Sequence, residues 1–266
     1  MYLDAKQWLQ SLDTQAQALA LAHLDLLIDG SVLSDDLRKS LAGLEPLPLQ
    51  ALLFEHTPEQ AIATQGPILV RLQWSVHAHQ WWLDKLIHQR FKNSGVLALF
   101  SRWDFASLAA HLGGCTQAQW GRGANNGILR YYDSCLFHNV CEALNPDQRR
   151  QLHVPVIKWL WLDRDGRART LVGDDTEPAT TSNVPPAFTL SDEQVAYLQA
   201  WSSAEQWHKA AGRHPFASLE AWLQHLFEGH LAAGRERVSV EGRESFVRQW
   251  LITHAPRTPF SDGKSL

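Results

Sequence analysis

The stretch Ile128-Leu129-Arg130-Tyr131-Tyr132-Asp133 decides how this chain is read. Apolar and aromatic residues bracket one fixed cation and one carboxylate, three positions apart. Read as a strand, it puts Arg130 and Tyr132 on one face and Leu129, Tyr131 and Asp133 on the other. A cation in such a run must find acceptors or reach solvent, because an unpaired buried charge costs several kcal/mol. Arg130 and Asp133 therefore suggest a paired strand end, and losing Arg130 is expected to cost roughly 2–4 kcal/mol. The same arrangement would also suit a site in which Arg130 holds an anion. Ser134 to Leu144 continues as a short helix, and Asn145-Pro146 stops it.

Strands and helices alternate to either side. Leu26-Leu27-Ile28 is a short strand ending at the turn signal Asp29-Gly30. Ser34 caps a helix that stops at Gly43. Ala51 to Phe54 and Ile68 to Leu72 read as strands, the second opened sharply by Gly66-Pro67. Residues 76–91 look helical, with Trp82, Leu83, Leu86 and Ile87 on one stripe. Val96 to Phe100 is a continuous apolar run after Gly95, as in a strand covered on both faces. Asp104 caps a helix carrying Leu108 and Leu112. The segment Gly121 to Gly127 contains GxG but lacks a full phosphate loop and precedes a strand, so it reads as a turn. Val156 to Leu162 and Ala168 to Val172 form a hairpin around Asp163 to Gly166.

The domain organisation expected is therefore an α/β lobe over 1–173, with a mixed sheet and flanking helices, and a linker over 174–189. The linker carries Pro178, Pro185 and Pro186 among Thr, Ser, Asp and Asn. A small all-helical lobe follows over 190–266. There Ser191 and Gln194 make a capping box. A second helix bears Leu219, Leu223, Leu226 and Phe227, and a third bears Phe246, Val247, Trp250 and Leu251.

Composition excludes several functions. With a formal charge of −4 and 20% charged residues, no global field draws nucleic acid or an anionic membrane. Near Arg235, Arg237, Arg243 and Arg248, three Glu residues offset the charge. Three cysteines (Cys115, Cys135 and Cys141) suggest reduced thiols. No leader or membrane-length apolar run is visible, so a cytoplasmic protein is expected. Among thirteen histidines, His77 and His79 point about 200° apart on a helix and, with His88, make no metal pattern. There is no GxSxG elbow and no CxxC. No catalytic residue, cofactor or metal is expected. Twelve tryptophans are many for 266 residues. Most should fill core, but Trp201, Trp207, Trp222 and Trp250 crowd short helices and are candidate protein-binding residues, at least one of them left partly exposed.

Four fragments in order carry a resemblance: Leu27-Ile28-Asp29-Gly30, Gly66-Pro67-Ile68-Leu69-Val70, Gly95 to Phe100 with His111-Leu112, and Leu129-Arg130-Tyr131-Tyr132-Asp133 followed by Leu144-Asn145-Pro146-Asp147-Gln148. Over about residues 24–165 the chain resembles the type VI secretion adaptor-chaperones, long filed as a domain of unknown function. Arg130, Tyr131, Tyr132 and Asp133 are the specific element. The family motif usually continues Pro-Arg, where this chain has Ser134-Cys135. The resemblance implies a protein that binds a cognate effector and helps load it onto the VgrG spike, without catalysis. The alternative is an enzyme or small anionic-ligand binder with a cleft around Arg130 and Asp133.

Overall fold

A computed structural model describes residues 4–90, 95–177, 185–211 and 218–254. The chain forms two compact units, Met1–Val195 and Ala196–Leu266, and the class is mixed α/β with a helical C-terminal region, as the sequence led us to expect. No helix among the described residues is long and apolar enough to cross a membrane.

The first unit is built on a six-stranded sheet: β1 (His23–Asp29), β2 (Leu49–Leu52), β3 (Pro67–Gln73), β4 (Val96–Phe100), β7 (Lys158–Leu162) and β8 (Ala168–Val172), in the order β2-β3-β1-β4-β7-β8. Every pairing in it is antiparallel. Helices cover both faces of β1, β3 and β4, which are apolar apart from His23, Asp25, Asp29, Arg71 and Gln73. On one face Leu24, Leu26, Ile28, Val70, Leu72 and Phe100 meet α1 (Ala5–Ala18), α2 (Asp35–Ala42) and α3 (His77–Arg90). α1 needs little apolar sequence to dock, since Trp8, Leu12 and Ala16 recur every fourth residue. The Ser34 cap and the Gly43 stop of α2 are as read from sequence.

The alternate strand residues point to the other face, under α4 (Phe105–Gly114), α5 (Phe137–Ala143) and α6 (Pro146–His153). There Phe137 packs on Trp159 and Trp161, with ring centroids 4.9 and 5.1 Å apart. Asn145 does more than stop α5. It caps α6 reciprocally with Gln148, and Pro146 takes the first turn.

The mixed pairing lies in a second, three-stranded sheet, in which β5 (Gln117–Trp120) pairs antiparallel with β6 (Asn125–Ile128) and parallel with β9 (Phe188–Thr189). One strand of this small sheet thus comes from the stretch read as a linker. Phe188 is buried, and Gln148 Nε2 donates to the Thr189 carbonyl (2.8 Å). The first unit accordingly extends past 189 to the start of α7 (Asp192–Ala211), where Gln194 Nε2 donates to the Ala143 carbonyl (2.8 Å). Pro178 lies outside the described residues.

The second unit packs the rest of α7 with α8 (Leu219–Arg235) and α9 (Val240–His254) around Trp201, Leu226, Phe227 and Val247. Trp201 stacks on Phe227 at 4.5 Å.

Candidate functional site

Antiparallel pairing brings Asp29-Gly30, Gly66-Pro67 and Gly95 to one end of the central strands. Asp29, the last residue of β1, faces Pro67, the first of β3. Its N–H donates to the Gly95 carbonyl ahead of β4 (3.1 Å), and the Gly30 N–H donates to the Gly66 carbonyl (3.0 Å). These turns must be glycine because the chains touch. A Cβ on Gly30 would stand 2.2 Å from the Gly66 carbonyl oxygen, and one on Gly66 would stand 2.3 Å from the Phe54 ring.

Arg130 to Asp133 completes this corner, though not as a strand. β6 ends at Ile128, and residues 130–133 turn, with the Asp133 N–H donating to the Arg130 carbonyl (3.3 Å). The alternation read from sequence therefore fails here. Asp133 Oδ1 accepts the Cys135 N–H (2.9 Å), an Asx-type bond that favours the turn over an extended run. The turn lets Arg130 and Asp133, assigned to opposite faces of a strand, meet each other.

Arg130 Nη2 donates to Asp133 Oδ2 (3.1 Å) and to Asp29 Oδ2 (3.3 Å). Its side chain is 52% exposed, while those of Asp29 and Asp133 are 7% and 17% exposed. Asp29 also accepts from the Ser31 N–H and hydroxyl (2.9 and 2.7 Å). Tyr131 is fully buried and donates its hydroxyl to the Leu112 carbonyl (2.7 Å). Tyr132 lies edge-on to Phe54. Burial pushes the Tyr131 hydroxyl far above its usual range, and Tyr132 up to about 12 against the opposing pull of Arg130. Both stay protonated at neutral pH, so neither offers a base. Ser134 accepts the Gly95 N–H on its hydroxyl (2.7 Å) and ties the turn to β4. Proline could not accept that bond.

The other reactive residue types are placed structurally. Cys115 and Cys141 are buried, and desolvation raises both thiols, Cys141 to about 12, far from a nucleophile's range. His79 is buried in α3, its Nδ1 accepting the Gln73 N–H (3.0 Å) and its Nε2 lying 2.8 Å from the Pro46 carbonyl. His88 pairs with Asp84 at the surface. Among the described residues, no group of three or more His, Cys, Asp or Glu could hold a metal.

Sequence reading missed a second charged site. Arg71 of β3 donates from Nε and Nη2 to the two oxygens of Asp25 of β1, both at 2.7 Å, and from Nη2 to the Trp103 carbonyl (3.1 Å). Both residues are buried, and Arg71 lies over the Phe105 ring. One charge in each of two apolar strands was the available signal. Antiparallel register places Asp25 directly opposite Arg71.

The four candidate tryptophans divide. Trp201 and Trp222 are core of the second unit. Trp207 and Trp250 are half-buried, with Arg248 over Trp207 and His254 stacked on Trp250.

No curated protein and no solved structure matches this chain. Residues 26–151, from within β1 to within α6 and so including every strand and turn of the Asp29–Arg130–Asp133 corner, match the model of a family described as Domain of unknown function (DUF4123).

Proposed function

We propose that this chain is a type VI secretion adaptor-chaperone that binds a cognate effector and helps load it onto the VgrG spike, acting by protein–protein binding without catalysis. The observation that carries the reading is the family match over residues 26–151, the region in which Asp29, Gly66, Gly95 and Arg130 to Asp133 meet at one corner. Partly buried Trp207 and Trp250, outside the matched region, are where a partner-specific contact would differ from one adaptor to the next.

The alternative, an anion-binding cleft at Arg130, is weakened by its geometry. Two carboxylates already compensate the guanidinium charge, which weakens its pull on an incoming anion. Both tyrosines there are neutral donors, and Tyr131 is committed to a carbonyl. These features suit a corner that holds the fold more than one that performs chemistry.

The test is to co-express the chain with the effector and spike proteins encoded beside it and purify it by tag. The reading expects the effector to co-purify and to reach the spike only when the chain is present. Effector that loads equally well without the chain would overturn it, as would turnover of a substrate by the purified chain that substitution of Arg130 or Asp133 abolishes.

A further inference from the structure

We infer that β2 and α4 form a docking groove for an extended segment of a partner protein, which adds as a seventh strand beside β2 at the open edge of the six-stranded sheet. Among the described residues, β2 ends the strand order and pairs with β3 on one side only. The Leu53 N–H donates to the Pro67 carbonyl (3.0 Å), which fixes the alternation: Leu49 and Ala51 bond β3, while Gln50 and Leu52 turn their N–H groups outward. Neither outward N–H bonds another described residue.

The two edges of the sheet differ in a telling way. β8 is guarded by charge, carrying Arg169 and preceded by Arg167. β2 reads Leu49-Gln50-Ala51-Leu52 with no charge, and Leu47 and Leu49 before and within it are 61% and 53% exposed. The Leu52 carbonyl accepts the Glu55 N–H (3.0 Å), but the outward N–H groups leave an uncharged edge that invites strand addition.

Beside it runs a cavity of about 690 Å³, walled by β2 and by Ala106, Ala109, Ala110 and Gly113 of α4. Small residues on this face of the helix leave the space open. At Gly113 the gap closes, since a Cβ there would come 3.0 Å from the Leu53 carbonyl oxygen. The open stretch of β2 spans about 13 Å, four residues of an added strand. Among the described residues, Glu55 is the one fixed charge in the lining, at the end where β2 finishes. The occupant that fits is a short extended segment with apolar side chains at alternate positions, no carboxylates, and a basic residue next to Glu55. Antiparallel addition, the rule throughout this sheet, places that basic residue at the segment's N-terminal end.

This rests on the reading that the chain works by binding protein, but its test needs no effector, so its failure would leave that reading standing. The probe is acetyl-Lys-Val-Thr-Val-Thr-amide, titrated into the full-length chain and followed by amide NMR. We expect saturable shifts and slowed exchange at Gln50 and Leu52. Replacing the peptide's first Val with Pro should abolish them. Gln50→Pro removes an outward N–H that the β2–β3 ladder does not use, so melting should hold while peptide affinity falls by at least about tenfold. Ala109→Leu, which fills the groove without touching β2, should weaken binding as well. The inference is overturned if the shifts are absent at about 1 mM peptide, or if both variants bind like the parent. It is overturned too if the free chain self-associates through β2, making a second copy the occupant.

Discussion

Asp25→Ala should be among the most damaging single substitutions in the first unit. Asp25 is 0% exposed and holds Arg71, itself 7% exposed, through two 2.7 Å bonds. Truncation would leave a buried guanidinium with the Trp103 carbonyl as its remaining protein acceptor from this set. His23, 3.8 Å from Asp25, cannot compensate: it carries no negative charge, and burial holds its pKa below the usual value. Breaking a buried pair on one side costs about 3–5 kcal/mol. For a unit of this size that is a drop of roughly 6–20 °C in melting temperature, at about 2–4 °C per kcal/mol. Urea unfolding and calorimetry of the purified variant measure it. The double variant Asp25→Leu with Arg71→Leu removes both charges together and should recover most of the loss, since an apolar pair of similar volume is often neutral or better. A single-variant loss under about 1 kcal/mol, or a double variant as unstable as the single, would refute the reasoning.

Arg130→Ala should cost less, about 1–2 kcal/mol, because the guanidinium is half exposed and both carboxylates keep backbone donors, Ser31 for Asp29 and Cys135 for Asp133. Its melting point should fall by roughly 2–8 °C; the larger cost expected from sequence assumed a partner left stranded. Gly30→Ala should destabilise by about 3 kcal/mol, as its Cβ would drive into the Gly66 carbonyl, and urea titration reads this directly. Acid should weaken both units through buried neutral histidines. Burial pushes His153 down to about 4, and burial and then Arg243 do the same to His230, against 6.5 unfolded. Above pH 6.5 neither state binds the proton and stability is unaffected. Between 6.5 and about 4 the unfolded chain alone takes it up, so stability falls by up to about 1.4 kcal/mol per pH unit per histidine. His153→Gln should flatten that fall in the first unit, where protonation would also break the Trp159 Nε1 bond to His153 Nδ1 (3.0 Å).

Strong local signals carried most of the fold. The caps at Ser34 and Asp104 and the turns at Asp29-Gly30 and Asp163 to Gly166 mark boundaries within a residue or two, because side-chain capping and glycine turns are decided locally. The strand register is not local, and neither is the meeting of Asp25 with Arg71, which lie 46 residues apart. The Arg130 stretch misled because Leu129, Tyr131 and Tyr132 are all buried, as strand residues on a two-sided sheet would be, while their backbone is a turn. α1 was overlooked because its apolar stripe is diluted by Lys, Gln and Asp on the exposed side. β9 is too short to show any period, and tertiary pairing with β5 alone makes it a strand. Of the four tail tryptophans, Phe227 and Val247 draw Trp201 and Trp222 inward, and helical spacing alone did not separate these from Trp207 and Trp250.

The most direct test of the central claim is the amount of effector bound to purified VgrG with and without this chain, read by size-exclusion chromatography with light scattering. The account predicts a stable effector–chain complex, effector on the spike only when the chain is supplied, and loss of that effect when residues 196–266 are removed. Equal loading in the absence of the chain would contradict it.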